Sequence, residues 1–153
     1  MRGIDHVGLT VADLDRAMDF WCGRLGLRLL GRVTEAGPDI ASLIGERSVE
    51  LDIADLDSGD GRIIELIQYI SPPGQPVQAR TSDPGSAHIA LRVDDIDAAL
   101  ERIQGSQGRQ ISHRPVLLHD PGGAWDGVTC CYIADPDGNI LELVQRPAEP
   151  PRR

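Results

Sequence analysis

Aromatic side chains are scarce in this chain: two Trp, two Tyr and one Phe, 3% of 153 residues. That leaves no platform on which exposed bases could stack. Clustered positive charge is missing too. Fifteen Lys and Arg stand against 24 Asp and Glu, a formal net charge of -9. A nucleic-acid surface needs the opposite balance, and an anionic membrane would repel this one. The acidity reads as a solubility feature, and no partner follows from it. No glycine pair has the spacing of a phosphate-cradling loop. No apolar run approaches the roughly 20 residues of a membrane span. The opening MRGIDHVGLTV lacks the apolar core of a signal peptide, so a cytoplasmic location is expected. Cysteine is limited to Cys22, Cys130 and Cys131. Cys130 and Cys131 are neighbours in a strand pattern, so their side chains take opposite faces and do not suit a mutual disulfide. Three reduced, partly buried thiols are expected.

What is present is a repeat. HVGLTVADLDRAM, from His6, and HIALRVDDIDAAL, from His88, are identical at six of thirteen positions. GRIIELIQY, from Gly61, matches GNILELVQR, from Gly138, at five of nine. Each half therefore opens on a His-bearing strand and helix and closes on a Glu-bearing strand. With 41% hydrophobic and 25% charged residues, the chain is an ordinary globular domain, or two small modules sharing a core.

Periodicity fills in each half. Ile4 to Val11 alternates as a strand, with Val7, Leu9 and Val11 on one face and His6, Gly8 and Thr10 on the other. Asp13 reads as a helix N-cap, followed by Leu14, Ala17, Met18 and Trp21 at helical spacing, with Gly23 or Gly26 as the stop. Strands follow at Leu27 to Val33, Val49 to Leu56 and Ile63 to Ile70, the last two joined by the DSGDG turn from Asp57. The stretch SPPGQPVQARTSDPGS holds four prolines and two glycines and reads as a linker. Ala87 to Val93 restarts the pattern. Asp95 caps a helix bearing Ile96, Ala99, Leu100 and Ile103. Strands are expected near Gln110 to Pro115, Thr129 to Ala134 and Asn139 to Gln145, with DPDGN as the second hairpin turn. The fold class is α+β: a first βαβββ module over 1–70, a linker over 71–86, a second module over 87–146 and a disordered tail over 147–153.

The same parity places the carboxylates. Ile63, Glu65 and Ile67 share one face; Ile140, Glu142 and Val144 share the equivalent face. A carboxylate amid apolar strand residues is costly to bury unless it is paired or bound to a cation. One lone strand His or Glu has a bland reading. Four, set by a repeat at equivalent positions, point to a metal: His6, Glu65, His88 and Glu142.

HVGLTVADLDRAMDFWCGRLGL resembles the opening of the vicinal oxygen chelate superfamily, and AHIALRVDDIDAAL with DPDGNILELVQ resembles its second-module signatures. The superfamily includes glyoxalase I, methylmalonyl-CoA epimerase, extradiol dioxygenases, fosfomycin-resistance enzymes and bleomycin-binding proteins. The resemblance covers residues 3 to about 146 and is far more specific for the superfamily than for an activity. It implies paired βαβββ modules whose mixed sheets curve into a cleft around one divalent ion. Carried over by position, it puts ligands at His6, Glu65, His88 and Glu142. A complete His, Glu, His, Glu set is most similar to glyoxalase I and its isomerase relatives. Epimerases commonly have a glutamine where this chain has Glu65. Dioxygenase members use two His and one Glu, and bleomycin-binding members have lost the ligands.

Two imidazoles and two carboxylates suit Zn, Ni, Co, Mn or Fe(II). An octahedral ion keeps two adjacent positions for vicinal substrate oxygens and acts as a Lewis acid. The expected activity is lyase or isomerase chemistry, a proton moved through a metal-bound enediolate. Glu142 and Glu65 are the catalytic candidates, Glu142 favoured by the resemblance. The alternatives are an Fe(II) extradiol-type dioxygenase and a metal-free drug- or natural-product-binding protein. Arg92, on the His88 face, and Trp125, in the HDPGGAWDG loop that could act as a lid, are candidate substrate contacts. Arg80 is a weaker one. Tyr69 and Tyr132 are candidates to line the cleft. His113 and His119 have no repeat counterpart and are assigned to the surface or to an outer shell. The partner is a small oxygenated molecule, and a homodimer is the family default, with the cleft within one chain or across two.

Overall fold

The computed structural model describes residues 2–148. It falls into two compact units, Met1–Val77 and Gln78–Arg153, whose boundary lies inside the proline-rich 71–86 stretch. Residues 149–153 of the PAEPPRR tail lie outside the described residues.

The first unit runs β1 (His6–Val11), α1 (Leu14–Met18), β2 (Arg28–Ala36), α2 (Pro38–Ile44), β3 (Glu50–Asp57) and β4 (Ile63–Ser71). Its sheet order is β1-β4-β3-β2, with β1 parallel to β4 and the other pairs antiparallel. The Asp13 carboxylate caps α1 by accepting from the Arg16 N–H. The helix then widens into π-type turns over Asp19–Arg24, and the Leu25 N–H reaches back five residues to the Phe20 carbonyl. Gly26 follows at φ +84°, a backbone state that glycine adopts at no steric cost. Leu14, Ala17, Phe20 and Trp21 are buried, as are Ala54, Leu56, Ile64 and Leu66 on the strands beneath.

The second unit runs β5 (His88–Arg92), α3 (Ile96–Ile103), β6 (Arg109–Gln110), β7 (Val116–Leu117), β8 (Thr129–Ala134) and β9 (Ile140–Gln145). β5 lies parallel to β9, β8 antiparallel to β9, and β6 and β7 both pair with β8. Asp95 caps α3 through the Ala98 N–H. Ile96, Ala99, Leu100 and Ile103 are all buried.

The α+β class and both mixed sheets agree with expectation. Two elements depart from it. The strand expected near Gln110 to Pro115 is split into β6 and β7, with the chain bending between them. The Ile111 and Ser112 N–H groups both reach the Tyr132 carbonyl at this bend, which ends the regular ladder. And α2, between β2 and β3, has no counterpart in the second half. Gly37 precedes it, Pro38 opens it and Gly45, left-handed at φ +88°, closes it. Proline at the start and glycine past the end is the asymmetry that marks a short helix in sequence.

A glutamine does the same job in both units. The Gln68 side-chain oxygen accepts the Leu14 N–H at 2.8 Å. The Gln145 oxygen accepts the Ile96 N–H at 2.8 Å. Each satisfies a first-turn donor that has no partner inside its helix. Each also ties the Glu-bearing strand to the helix that follows the His-bearing strand.

Candidate metal centre

In the first unit His6 pairs in register with Ile63, and Glu65 with Gly8. The two side chains share a face because their register positions differ by two. His6 Nε2 lies 3.8 Å from Glu65 Oε2. The other ring nitrogen, Nδ1, donates to Asp5 Oδ2 at 3.1 Å, which turns Nε2 toward the glutamate. The Asp5 hydrogen bond, then the Glu65 charge, hold the His6 imidazolium above the ordinary histidine range. Gly8 leaves the space beside the carboxylate open. A Cβ there would sit 3.5 Å from Ile67 Cδ1 and 3.6 Å from Glu65 Oε2. On the other side Asp55 of β3 stands directly opposite Glu65.

The second unit repeats the register: His88 pairs with Ile140, and Ala90 with Glu142. His88 Nε2 lies 3.3 Å from Glu142 Oε2. The neighbours differ. Tyr132 is opposite Glu142, and its ring meets the His88 imidazole edge-on at 5.2 Å between centroids. Cys130 lies two residues along the same strand face and donates its thiol to Glu142. Burial, then that carboxylate, push the Cys130 thiol up to about 11. Burial first, then the Glu142 charge, also raise the Tyr132 phenol, so both groups keep their protons near neutrality. Cys131 faces the other way, into the buried layer with α3. All three cysteines are free thiols.

The donor chemistry fits a divalent ion. Adjacent ligands on an ion with bonds of about 2.1 Å stand roughly 3.0–3.4 Å apart, and the second pair already has that spacing. The first needs only a small side-chain rotation. Each pair would supply two donors. Among the described residues, no group of three or more His, Cys, Asp or Glu side chains gathers where it could hold a metal ion.

The pattern of His and Glu on matched strands has a counterpart among known proteins. A family model described as the Glyoxalase/Bleomycin resistance protein/Dioxygenase superfamily matches residues 3–143. The chain belongs to that superfamily. A curated superfamily relative, a 2-epi-5-epi-valiolone epimerase from Actinomyces sp, is 32% identical over 97% of this chain and 81% of its own length. A probable lactoylglutathione lyase from Synechocystis is 26% identical, with 92% of each chain covered. A solved glyoxalase family protein from Bacillus cereus superposes with a TM-score of 0.82 at 24% identity, covering 97% of this chain and 96% of its own, a likeness of fold.

The other candidates fall as follows. Arg92 is exposed on the His88 face, opposite Val144. Trp125 lies under the Arg146 guanidinium, 5.3 Å from the ring centroid, and is 42% exposed. Its loop is knit internally: Asp126 accepts from the Asp120 N–H, and a Cβ on Gly123 would overlap the Asp120 carboxylate. Arg80 is committed to Asp83 within the 71–86 stretch, at 2.6 Å. His119 approaches Asp126 at 3.8 Å and is almost fully exposed; His113 is exposed. Tyr69 packs with Leu51 and Val49 against α2 rather than beside the ligands. No helix is long and apolar enough to cross a membrane, among the described residues.

Sequence periodicity does not single out Asp55 or Cys130 as neighbours of the glutamates. Neither has a matching residue at its repeat position. Their signal lies in cross-strand register, which needs the hairpin pairing before it can be read.

Proposed function

We propose that this chain is a divalent-metal-dependent epimerase acting on a small polyhydroxylated ketone of the 2-epi-5-epi-valiolone kind. The observation that carries the reading is the duplicated pair: His6 with Glu65 at 3.8 Å and His88 with Glu142 at 3.3 Å, each projecting from one face of a parallel strand pair. The relative at 32% identity over 97% of the chain supports the substrate class. His6, Glu65, His88 and Glu142 would together hold one ion, Zn, Ni, Co, Mn or Fe(II), with the two half-sites brought together within one chain or across a homodimer. Bound there, the ion supplies positive charge to stabilise an oxyanion on the substrate. A carboxylate of the protein, Glu142 or Glu65, takes the proton from the carbon beside the carbonyl, and a carboxyl group returns one to its opposite face. Arg92, exposed on the His88 face, would contact a substrate oxygen, and Trp125 would bound the site. Free thiols and a metal enzyme of this kind suit the cytoplasm.

The second reading is a lactoylglutathione lyase, favoured by the complete four-ligand set and by the Synechocystis relative. One assay separates them. The protein, stripped and reloaded with each metal in turn, is incubated in D2O with 2-epi-5-epi-valiolone or with the hemithioacetal of methylglyoxal and glutathione. Deuterium entering the ketone beside its carbonyl, with a new diastereomer and loss of both on chelation, is the expected result. Turnover of the hemithioacetal alone makes the chain a lyase. Oxygen consumption with Fe(II) would move it to the dioxygenases, and ligand binding indifferent to chelator to the binding proteins.

A further inference from the structure

Four exposed arginines of this acidic chain are claimed by aspartate: Arg28 by Asp57, Arg32 by Asp52 and Asp15, Arg62 by Asp60, and Arg80 by Asp83. Arg92 and Arg146 are not. Among the described residues neither has a carboxylate within ion-pair distance, although the chain holds 24 acidic residues. Both belong to the face that carries His88 and Glu142. Arg92 is four residues beyond His88 at the end of β5, and Arg146 is four beyond Glu142, just past β9. A period of two keeps each on its candidate ligand's face. The charge of Arg146 also acts on the Cys130 thiol, which itself donates to Glu142. Arg92 pairs in register with Val144, two residues before Arg146. With strands about 4.8 Å apart and about 6.6 Å per two residues, the two Cα atoms stand about 8 Å apart. Two long side chains at that spacing can grip one oxyanion.

Duplication accounts for neither arginine. The repeat matches Arg92 with Thr10 and Arg146 with Tyr69. In the first unit that end of the face is closed, because Tyr69 packs on the cluster of Ala41, Val49 and Leu51 at α2. The second unit has no such helix among the described residues. There both arginines are exposed, beside an apolar strip of Val128, Cys130 and Val144. Arg146 is set in place from one side. Its guanidinium lies over Trp125, 5.3 Å from the ring centroid, and donates to the Ala124 carbonyl at 3.1 Å. A guanidinium has five N–H donors, so most remain for a ligand. Two neighbouring cations without a counter-ion repel each other. An oxyanion between them removes the repulsion and accepts from both planar forks.

We propose that Arg92 and Arg146 form an anion subsite, and that the ketone acted on carries a phosphate or carboxylate group at the end remote from its carbonyl. The ketone end of this inference rests on the epimerase reading; the arginine end does not. The subsite lies wholly within the second unit. It selects among polyhydroxylated ketones by charge, which a metal ion holding two vicinal oxygens does not do.

The test uses the full chain, loaded with Mn(II) and desalted, and three probes: fructose, fructose 6-phosphate and 5-keto-gluconate. Binding is followed by calorimetry in wild type, Arg92→Gln, Arg146→Gln, their lysine counterparts and Arg47→Gln, an exposed arginine of the first unit. At least one anionic probe is expected to bind wild type about 10-fold or more tighter than fructose, and each glutamine variant to lose about 10-fold for that probe while fructose affinity stays within about 2-fold. Lysine at either position recovers part of the loss, and Arg47→Gln changes nothing. The probe that gains more, phosphate or carboxylate, identifies the group. Fructose binding as tightly as both anionic probes overturns the inference, as does failure of both anionic probes to bind. Equal weakening of all three probes in the glutamine variants overturns it too, by making the arginines structural. Deuterium exchange into 2-epi-5-epi-valiolone, followed by NMR, separates the two readings. A wild type that exchanges this neutral ketone and shows no preference for the anionic probes keeps the epimerase reading and loses the subsite. A wild type that grips the anionic probes through both arginines but exchanges neither them nor the neutral ketone keeps the subsite and loses the epimerase reading.

Discussion

The His6 and His88 half-sites share a register and differ in nearly everything around it. Beside Glu65 stand a glycine and Asp55, whose charge also acts on His6, and Asp5 holds the far side of His6. Beside Glu142 stand an alanine and a tyrosine, with the Cys130 thiol donating to the carboxylate. The Glu65 side chain is 23% exposed and the Glu142 side chain 12%. Two similar ladders thus carry two different electrostatic environments. The first half is open and rich in negative charge. The second is drier, and its histidine and glutamate are steered by a ring and a thiol that keep their protons. The candidate ligands follow the strand register that the two halves share; what surrounds them follows the flanking positions, which they do not share.

The largest effects expected on this comparison are in the two cores. Leu66 and Leu143 occupy matching positions one residue past each glutamate and are both fully buried. Truncation of either to alanine should cost about 2–5 kcal/mol in denaturant unfolding. If Leu66→Ala and Leu143→Ala fell in separate transitions, the two units would be independent folding entities; one shared transition would make them a single cooperative structure.

Metal affinity comes next. Glu142→Gln should weaken Zn(II) or Mn(II) binding by about 100-fold, near 2.7 kcal/mol. Glu65→Gln should cost less, because its pair is wider and more exposed. Calorimetry on both variants checks the ranking. Equal losses would erase the claimed asymmetry, and a greater loss from Glu65→Gln would invert it.

The smallest effect concerns what the halves have in common. Gln68→Ala and Gln145→Ala each leave a first-turn N–H without its acceptor, at about 1 kcal/mol apiece. The two costs should agree within error. A clear difference would show that the equivalence of the two frames is geometric only.

Much of this was legible from residues alone, for identifiable reasons. A period of two places His6 with Gly8 and Glu65 with Ile67, and the repeat shows which strands correspond. Short helices without long apolar stripes escape such reading, as α2 did, although Gly37-Pro38 and Gly45 mark its ends. β6 and β7 escaped because two-residue strands carry no period. Asp55 escaped because its meaning lies across the hairpin, in the pairing with Glu65, and no local window contains both. Trp125 illustrates the converse: a large side chain in a glycine-rich loop drew attention, while its contact with Arg146, 21 residues on, was invisible to any local pattern.

The glutamine clasp has a consequence for how such a chain can change over time. In each half, one amide oxygen 2.8 Å from a helix N–H locks the strand carrying the glutamate to the turn that leaves the strand carrying the histidine. The lock closes over 54 residues in the first half and 49 in the second, and in neither does it reach outside its own half. The distance between imidazole and carboxylate is therefore set locally. A loop such as 119–127 can lengthen, shorten or be replaced without each histidine and glutamate losing alignment. The frame behaves as a fixed jig, and new specificities can be tried on its margins at little risk to the part that would grip the ion.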